Sequence, residues 1–385
     1  MRILLLNYEF PPLGGGGGVA CFDVARHLAK RHHVDVVTTG FEGVPSFELR
    51  DGVRIHRVPV LARKHRETAT KLSMLMYLPA AVRTVLQLSR TQPYDVMNTW
   101  FAVPTGPVGA LLSRLLGLPN LLTLVGGDLY DPSKRMSPHR SAPMRAAVRW
   151  VLRSATSVTA ISSDTMARAR DYFGFSRAIE VIQLGVDRPE FSPAERTDLG
   201  LSDDKFYVVS VGRLVPRKAF ADLIAAMVAI DAAEVELLIV GEGPERGRLE
   251  SLAERLGVAN RVHLMGLLSE ERKYQLLAAS DVFALTSMHE GFGLVFLEAM
   301  HCGLPIVATD EGGQRDILED GKTGFLVQPG DVAAVAAKIA WLRERPEECR
   351  LLGLHNRKRA SLFSAARCAE AYEELMVSVC RDFRR

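Results

Sequence analysis

The chain has 385 residues, of which 48% are hydrophobic and 24% are charged, as in ordinary globular proteins. A chain of this length is longer than a typical domain with one hydrophobic core, so two domains are expected. No uninterrupted apolar run reaches about 18 residues, so no transmembrane helix is expected. The short apolar run at the start predicts a buried first strand rather than a signal segment. Five cysteines without CxxC spacing argue against a zinc or disulfide framework and predict reduced thiols.

Charge is divided unevenly along the chain. Residues 1–187 hold 23 Lys and Arg against 14 Asp and Glu, a balance of +9, whereas the remainder holds 25 against 31, a balance of −6. A basic first half would suit an anionic substrate or an anionic membrane surface. An uneven distribution of surface charges without any functional role explains the same numbers equally well. Nucleic acid is not expected as a partner.

Short apolar runs alternate with longer segments of helical periodicity through both halves of the chain. This alternation predicts βαβ units, that is, parallel sheets covered by helices on both faces. The predicted strands lie at residues 2–8, 34–39, 53–60, 95–100, 120–126, 157–162 and 179–185 in the first half, and at 206–212, 235–241, 261–266, 281–287, 305–310 and 324–329 in the second.

The segment between the two strand series, residues 185–205, contains two prolines and many charges but no periodic apolar face. Such a composition is typical of a linker. We therefore expect two doubly wound α/β domains, one over residues 1–187 and one over residues 188–363. A helical pattern over about residues 364–385 follows the second sheet and is expected to pack back on the first domain.

The loop after the first strand contains five consecutive glycines, Gly14 to Gly18, and a helix is expected to begin near Val19. Glycines leave backbone N–H groups uncovered, and a helix N-terminus behind them favours an anion. A dinucleotide site would need G-x-G-x-x-G directly after the strand and an acidic residue ending the second strand. Here Pro11 and Pro12 intervene, and Asp35 lies early in its strand. An NAD-type Rossmann oxidoreductase is therefore a weak alternative. A second alternative is that the glycine run is only a flexible surface loop.

Two cations bracket the turn after the predicted strand at 206–212. Arg213 stands at the carboxyl end of the strand and Lys218 comes as the next helix begins, whereas Arg217 is expected to face solvent. Ligands of open α/β sheets lie beyond the carboxyl ends of the strands. A guanidinium fork and an ammonium point charge placed there can share one phosphate.

The segment HEGFGLVFLEAM places Glu290 and Glu298 eight residues apart after another predicted strand. A helix is expected to begin near Leu294, so the N–H groups of Gly293, Leu294 and Val295 would point at a bound diphosphate. Helical side chains lean toward the N-terminus, which places Glu298 beside ribose hydroxyls. Glu290 would lie on the opposite side, toward a sugar linked to the diphosphate. A carboxylate pair also fits a glycosidase, but glycoside hydrolysis needs no diphosphate cradle.

These motifs, in this order, resemble the retaining GT-B glycosyltransferases of family 4, which include relatives of glycogen synthase, lipid-glycan transferases and sucrose synthase. The resemblance runs nearly end to end and is densest from Val181 to Asp331. It implies the GT-B fold: two Rossmann-like doubly wound parallel-sheet domains facing a cleft. The phrases that carry it are GVD at 185–187 with FSP at 191–193, VGRLVPRK, VGEGPER, the Glu-x7-Glu motif from Glu290 to Glu298, and ATDEGGQRDILEDGKTGFLV after it.

The resemblance also implies how a nucleotide-diphosphate sugar is held. Arg213 and Lys218 would bind the diphosphate and stabilise the leaving nucleotide, while Glu298 would bind the ribose. Glu290 and the amides that follow it would bind the sugar and phosphate, the base would lie near residues 266–268, and the glycine loop would close over the diphosphate. The residues predicted to bind the donor are Gly15, Gly16, Gly17, Arg213, Lys218, Gly266, Leu267, Glu290, Gly291, Phe292, Gly293, Leu294, Val295 and Glu298, and those predicted to act in catalysis are Arg213, Lys218, Glu290 and Asp128.

Retention would follow from attack on the same face as the leaving group, with the departing phosphate oxygen taking the acceptor proton. Positive charge at the phosphates would then be the main catalytic contribution. No metal and no other cofactor is required by the resemblance, in agreement with the lack of an Asp-x-Asp motif on a strand end. Asp128 and Asp131 have the wrong spacing for one.

The chain departs from the family pattern at two positions. Val125 stands where the family usually has a histidine, so the contact with the sugar's primary hydroxyl is unassigned. Asp128 is the candidate for a sugar or acceptor contact, and a role as a cap of the next segment is equally open. Ala219 follows Lys218 where glycine is common, and is expected only to nudge the helix start.

We therefore expect a hexosyl- or N-acetylhexosaminyltransferase that uses a UDP- or GDP-sugar, with a lipid-linked or cell-envelope glycan as one candidate acceptor. A nucleotide-sugar epimerase of the same fold stays open, whereas a phosphorylase would need a cofactor-binding lysine site that the sequence does not show. The expected location is the cytoplasm. The basic segment Lys134–Arg153 is a candidate for peripheral contact with an anionic membrane face, a solvated helix face being the alternative.

Overall fold

A computed structural model describes residues 1–61, 63, 69–230 and 232–383 of the chain. These form two compact units. The first unit consists of Met1–Gly185 and Ala365–Arg385, and the second of Val186–Ser364.

The first unit alternates strands and helices as the apolar pattern predicts. Its first strand is a near-continuous apolar run, as expected where helices cover both faces of a parallel sheet, and Ile3 to Leu6 of this strand are fully buried. In chain order the elements are β1 Arg2–Leu6, α1 Gly16–Leu28, β2 His33–Thr39, β3 Phe47–Arg50, β4 Val53–Val58, α2 Lys71–Thr91, β5 Val96–Trp100, α3 Gly106–Leu116, β6 Asn120–Leu124, α4 Ala142–Ser154, β7 Ser157–Ala160, α5 Ser163–Phe173 and β8 Glu180–Val181.

The strands of the first unit form one sheet in the order β3-β4-β2-β1-β5-β6-β7-β8. Only the β3–β4 pair is antiparallel among the pairs of this sheet. After β1 the chain first builds β2 and β4 on one side and then crosses to β5 on the other. The order therefore reverses between β1 and β5, and ligands of such sheets bind at the carboxyl ends beside this reversal.

The second unit repeats the same construction with a six-stranded parallel sheet. Its elements are β9 Phe206–Val211, α6 Phe220–Ala229, β10 Val235–Val240, α7 Arg246–Arg255, β11 Val262–Gly266, α8 Glu270–Ala279, β12 Val282–Leu285, α9 Leu294–Cys302, β13 Ile306–Thr309, β14 Gly324–Val327, α10 Val332–Arg343 and α11 Pro346–Ala360. The strand order β11-β10-β9-β12-β13-β14 reverses between β9 and β12. The loops after β9 and β12 thus leave the sheet side by side.

The last helix, α12 Ala365–Phe383, belongs to the first unit, where it packs against α1. Its buried side chains include Cys368, Tyr372 and Met376. The Tyr372 ring lies 5.6 Å from the ring of Trp100 at the end of β5. Aromatic burial of this kind fixes the helix on the first unit.

Every predicted strand is present, but three local expectations need correction. The edge strand β3 was missed because FELR is short, polar and mostly exposed. The run at 179–185 forms only the two-residue strand β8. Helix α1 begins at Gly16, within the glycine run, rather than near Val19.

Helix α2 bears on the expectation that no segment could span a membrane. Among the described residues it is the one helix that is long and apolar enough to do so, by length and composition only. It contains Pro79, and Tyr77, Ala81 and Val85 are buried in the core of the first unit. Leu75, in contrast, is 67% exposed. One such helix is weak support for a membrane span, because core helices of soluble proteins have the same properties.

Candidate active site

The turn after β9 brings a buried cation to the point where the strand order reverses. Residues Pro216–Lys218 form a 3-10 turn, and the Lys218 side chain points inward, with 8% of the residue exposed. Arg213 follows β9 directly, and Leu214 is pinned by an N–H bond to the carbonyl of Glu242. This bond joins the loops after β9 and β10.

Ala219 corrects an expectation made from the sequence. Its backbone is left-handed, with φ of +47° and ψ of +36°, and helix α6 begins directly after it. Such a conformation costs an L-residue about 1–2 kcal/mol. Ala219 therefore does more than nudge the helix start: it holds a turn that glycine would adopt without strain.

The turn after β12 ends in a helix N-terminus at the same edge of the sheet. Helix α9 begins at Leu294, as predicted, and Gly293 before it has a φ of +93°. A Cβ atom at Gly293 would lie 2.5 Å from the Phe296 ring, so only glycine fits this turn. The first N–H groups of α9, at Leu294 and Val295, have no acceptor within the helix. Open N–H groups at a helix start are suited to binding an anion.

Glu290 and Lys218 meet in a buried ion pair. Lys218 Nζ donates to Glu290 Oε1 at 2.7 Å, and both residues are less than a tenth exposed. The second carboxylate oxygen of Glu290 lies 3.6 Å from Arg217 Nη1. The predicted phosphate-binding lysine and the first glutamate of the Glu-x7-Glu motif are thus in direct contact.

Arg217 does not face solvent, contrary to expectation. Its guanidinium donates to the carbonyl oxygen of His289 at 2.6 Å, and its own carbonyl accepts the N–H of Met288 at 2.8 Å. Arg217 therefore ties the turn after β9 to the loop after β12. The sequence gives no sign of this, because the two segments lie about 70 residues apart.

The charges of this cluster act on each other. Burial alone would raise the pKa of the Glu290 carboxyl, but the charges of Lys218 and Arg217 outweigh it and hold that pKa at about 2. Burial lowers the pKa of the Lys218 ammonium, an effect that Glu290 opposes and that Arg217 and Arg213 reinforce. A dianionic ligand beside Lys218 would favour its charged form.

Glu298 lies one turn into α9 and is mostly buried. Its Oε1 is 3.0 Å from Lys273 Nζ of α8, and its side chain is 13% exposed. Lys273 was not predicted as a site residue. A signal was present, because Lys273 stands three and four residues before the buried Leu276 and Leu277, where a helix of this period should place an apolar residue.

The residues proposed for the base lie at the end of β11, two strands away from β9 in the sheet. The carbonyl of Gly266 accepts the N–H of Gly241 at 2.9 Å, which joins the ends of β10 and β11. Leu267 is 67% exposed.

The glycine run of the first unit is packed tightly against its neighbours. The N–H of Gly15 donates to Glu9 Oε2 at 3.2 Å. A Cβ atom at Gly17 would lie 2.7 Å from Phe101 Cζ and 2.8 Å from Val125 Cγ1. Gly16, Gly17 and Gly18 form the first turn of α1. The run is therefore a helix start in which Gly14, Gly17 and Gly18 leave no room for a side chain, rather than a wholly irregular loop.

Asp128 is buried beside the same segment. Its two carboxylate oxygens accept the N–H groups of Ala102, at 2.5 Å, and Val125, at 3.0 Å. Burial raises the pKa of this carboxyl to about 6, against the opposing effect of these hydrogen bonds. Asp128 thus joins the ends of β5 and β6.

Within the parts of the chain that the structure describes, no group of three His, Cys, Asp or Glu side chains is arranged to hold a metal ion. All five cysteines are free thiols.

Comparison with known protein families decides the class. The family model described as "Glycosyl transferases group 1" matches residues 191–359, and the "Glycosyl transferase 4-like domain" matches residues 15–185. The chain belongs to the family 4 glycosyltransferases. The fold class and the enzyme class predicted from the sequence are confirmed: this is a GT-B hexosyl- or N-acetylhexosaminyltransferase.

Two curated relatives cover nearly the whole glycosyltransferase. It is 26% identical to the N-acetyl-alpha-D-glucosaminyl L-malate synthase of Bacillus anthracis, over 96% of both chains. It is 29% identical to the GDP-mannose-dependent alpha-(1-6)-phosphatidylinositol monomannoside mannosyltransferase of Mycolicibacterium smegmatis, over 92% of both chains.

Two solved structures resemble this glycosyltransferase closely. Sucrose-phosphate synthase from Thermosynechococcus elongatus superposes with a TM-score of 0.87 at 26% identity, over 98% of both chains. Anabaena HepE in complex with UDP-glucose superposes with a TM-score of 0.79 at 25% identity, over 98% of this chain and 100% of that one.

Proposed function

We propose that this glycosyltransferase moves a hexosyl or N-acetylhexosaminyl group from a UDP- or GDP-sugar to an acceptor hydroxyl, with retention of the anomeric configuration. The observation that supports this most is the convergence of three features at the β9–β12 reversal: the buried Lys218, its partner Glu290 and the N-terminus of α9. A cation and open helix amides together form a site for a diphosphate.

In this proposal each group has one task. Lys218, Arg213 and the amides of Leu294 and Val295 bind the diphosphate. Glu298 accepts the ribose hydroxyls. Glu290 lies between the phosphate site and the donor sugar, where its carboxylate accepts hydrogen bonds from sugar hydroxyls.

The reaction breaks the bond between the anomeric carbon and the phosphate oxygen and forms a bond to the acceptor oxygen on the same face. The acceptor proton passes to the departing phosphate oxygen. Negative charge grows on the diphosphate as the bond breaks, and the fixed cations and amides stabilise it. The proposal requires no metal and no cofactor besides the donor.

The relatives support both kinds of donor. One is named as GDP-mannose-dependent and one structure is a complex with UDP-glucose, so UDP- and GDP-sugars are the two donors to test first. The mannosyltransferase is named for a phosphatidylinositol glycolipid, which supports a lipid-linked glycan as acceptor. A cell-envelope glycan is the wider class.

We also propose that the first unit serves the acceptor. The helix start at Gly15, Gly16 and Gly17 and the Val125 segment would contact the substrates, and at Gly17 the contact would be through backbone groups because Phe101 and Val125 leave no space for a side chain. Asp128 would act by fixing the two strand ends that its carboxylate joins.

A membrane contact would go with a lipid-linked acceptor. Helix α4 carries Arg145 and Arg153 together with Trp150, which is 40% exposed. Basic and aromatic side chains on one helix suit the surface of an anionic bilayer, and we propose this face for work at the cytoplasmic side of a membrane. Sedimentation with phosphatidylglycerol vesicles, reduced by salt, would support this contact, and no sedimentation at low salt would exclude it.

The test of the proposed function is a thermal-shift screen of UDP, GDP, ADP and NAD, followed by incubation with the sugars of the nucleotide that binds. Stabilisation by a nucleoside diphosphate and release of it in the presence of an acceptor are expected, with an α-linked product from an α-linked donor. Stabilisation by NAD alone would favour the oxidoreductase. Conversion of the donor without any acceptor to an isomeric sugar would favour the epimerase.

A further inference from the structure

Lys273 is a buried lysine that the proposed reaction has not used. It lies on α8 with its side chain 11% exposed, and lysine is rarely buried unless it is paired. Its Nζ lies 2.9 Å from Glu270 Oε2 and 3.0 Å from Glu298 Oε1.

The two carboxylates around Lys273 differ in surroundings. Glu270 stands on the same helix, three residues earlier, and its side chain is 78% exposed, so water screens this pair. Glu298 stands on the neighbouring helix α9 and is 13% exposed. The contact with Glu298 is therefore the one that constrains geometry, because it joins two helices through a poorly hydrated pair.

The surroundings of Lys273 favour the charged form of its ammonium. Burial would lower the pKa of the Lys273 ammonium, but the charges of Glu298 and Glu270 outweigh it and raise that pKa. The ammonium therefore stays charged and keeps one oxygen of Glu298 fixed. An ionised carboxylate has about four acceptor positions, so Glu298 can hold Lys273 and still accept from two hydroxyls.

We propose that Lys273 is a positioning residue that orients Glu298 toward the ribose and so makes nucleotide binding depend on the ribose hydroxyls. The proposal rests on the proposed function, since it assumes that Glu298 binds the ribose. A glutamate without such a partner would accept hydrogen bonds from the same hydroxyls, but its side chain would lose rotamer freedom on binding, which weakens the affinity. Because Lys273 already holds the Glu298 side chain in the free protein, this loss does not occur on binding.

The test compares the affinity for a nucleoside diphosphate with the affinity for its 2′,3′-dideoxy analogue, by titration calorimetry on the full chain. UDP or GDP is used, whichever the wild type binds. Lys273→Met keeps the length of the side chain and removes its charge. We expect it to weaken binding of the hydroxylated nucleotide by about tenfold, the typical loss for one charge-assisted contact, and of the dideoxy analogue by less than about twofold.

Three further variants separate positioning from simple loss of stability. Lys322→Met is the matched control, because Lys322 Nζ lies 2.8 Å from Glu319 Oε2 at an exposed site, and it should change neither affinity. Lys273→Arg should keep most of the preference for the hydroxylated nucleotide. In a Glu298→Gln background, Lys273→Met should have no additional effect on that preference. If Lys273→Met does not fold, Lys273→Gln takes its place.

The outcomes are distinct. Equal losses for the two nucleotides in Lys273→Met, or an unchanged preference, would overturn the positioning role. Failure of the wild type to bind any nucleoside diphosphate would instead overturn the proposed function itself.

Discussion

Replacing Lys218 by methionine should separate the two effects of the buried pair with Glu290. The substitution removes the cation but keeps most of the side-chain volume. It leaves the Glu290 carboxylate, which is 6% exposed, without its 2.7 Å partner. Breaking a buried pair from one side costs about 3–5 kcal/mol. For a unit of this size that corresponds to a fall of roughly 10 °C in the unfolding temperature.

The double variant Lys218→Met with Glu290→Gln provides the control. It removes both charges, and neutral replacement of a buried pair is often close to energetically neutral. Most of the lost stability should therefore return. Release of UDP or GDP from the donor should stay about a hundredfold or more below wild type in both variants, because a preorganised charge at the phosphates is missing.

Calorimetry would follow the unfolding temperature, and a coupled assay would follow nucleoside diphosphate release. A single variant as stable as wild type, or a double variant as unstable as the single one, would refute the buried-pair reasoning. Wild-type turnover in either variant would refute the role of Lys218 at the phosphates.

Three other predictions test separate features. Asp35, bound by Arg54 at 3.0 Å and by His56 at 2.9 Å, has a pKa lowered to about 2 because these partners outweigh burial. The ionised Asp35 therefore stabilises the fold above about pH 4, and this stabilisation is lost as the pH falls toward 2. Asp35→Asn should lower the free energy of unfolding at neutral pH by about 3 kcal/mol and should weaken the loss of stability at acid pH, measured by urea unfolding. An unchanged loss of stability at acid pH would contradict this account. Gly17→Ala should lower the free energy of unfolding by about 1–3 kcal/mol through overpacking. Gly127→Ala, where a Cβ atom would lie in open space, should leave the thermal unfolding nearly unchanged. Equal effects of the two variants would refute the packing account. Because diphosphate binding would favour the charged form of Lys218, whose pKa is lowered in the free protein, affinity measured by calorimetry should fall at alkaline pH below the ordinary lysine pKa of about 10.4. Constant affinity up to that pH would exclude this linkage.

The regular elements could be predicted because buried parallel strands leave a strong pattern. The strands Phe206–Val211 and Val235–Val240 are apolar at every position except Ser210 and Glu236, and a glycine follows each of them. Strand β3 escaped because an exposed antiparallel edge needs no apolar face. The start of α1 was misplaced because glycine disfavours helices, whereas here the crowding by Phe101 and Val125 decides the residue type.

The sequence indicated candidate site residues, but it indicated few of the contacts between them. Arg213, Lys218, Glu290 and Glu298 were chosen because chain order places their segments at strand ends, and the structure brings Lys218 and Glu290 together. The bond from Arg217 to the His289 carbonyl could not be foreseen, because it depends on how two distant loops fold against each other.

The contact of Lys273 with Glu298 likewise depends on how α8 and α9 pack. Periodicity could have marked Lys273 as an anomaly on a buried helix face, but not its partner. Contacts between side chains on different helices or loops depend on the tertiary structure. The sequence pattern shows only the spacing of residues along each element.

Hydrogen exchange at the start of α9 tests the central claim most directly. The N–H groups of Leu294 and Val295 lack acceptors within the helix, so they should exchange fast in the free protein. Binding of UDP or GDP should slow their exchange in a peptide covering residues 288–297, since the diphosphate would accept their hydrogens. If calorimetry shows that the nucleotide binds while exchange at these amides is unchanged, the diphosphate does not lie at the β9–β12 reversal and the account is wrong.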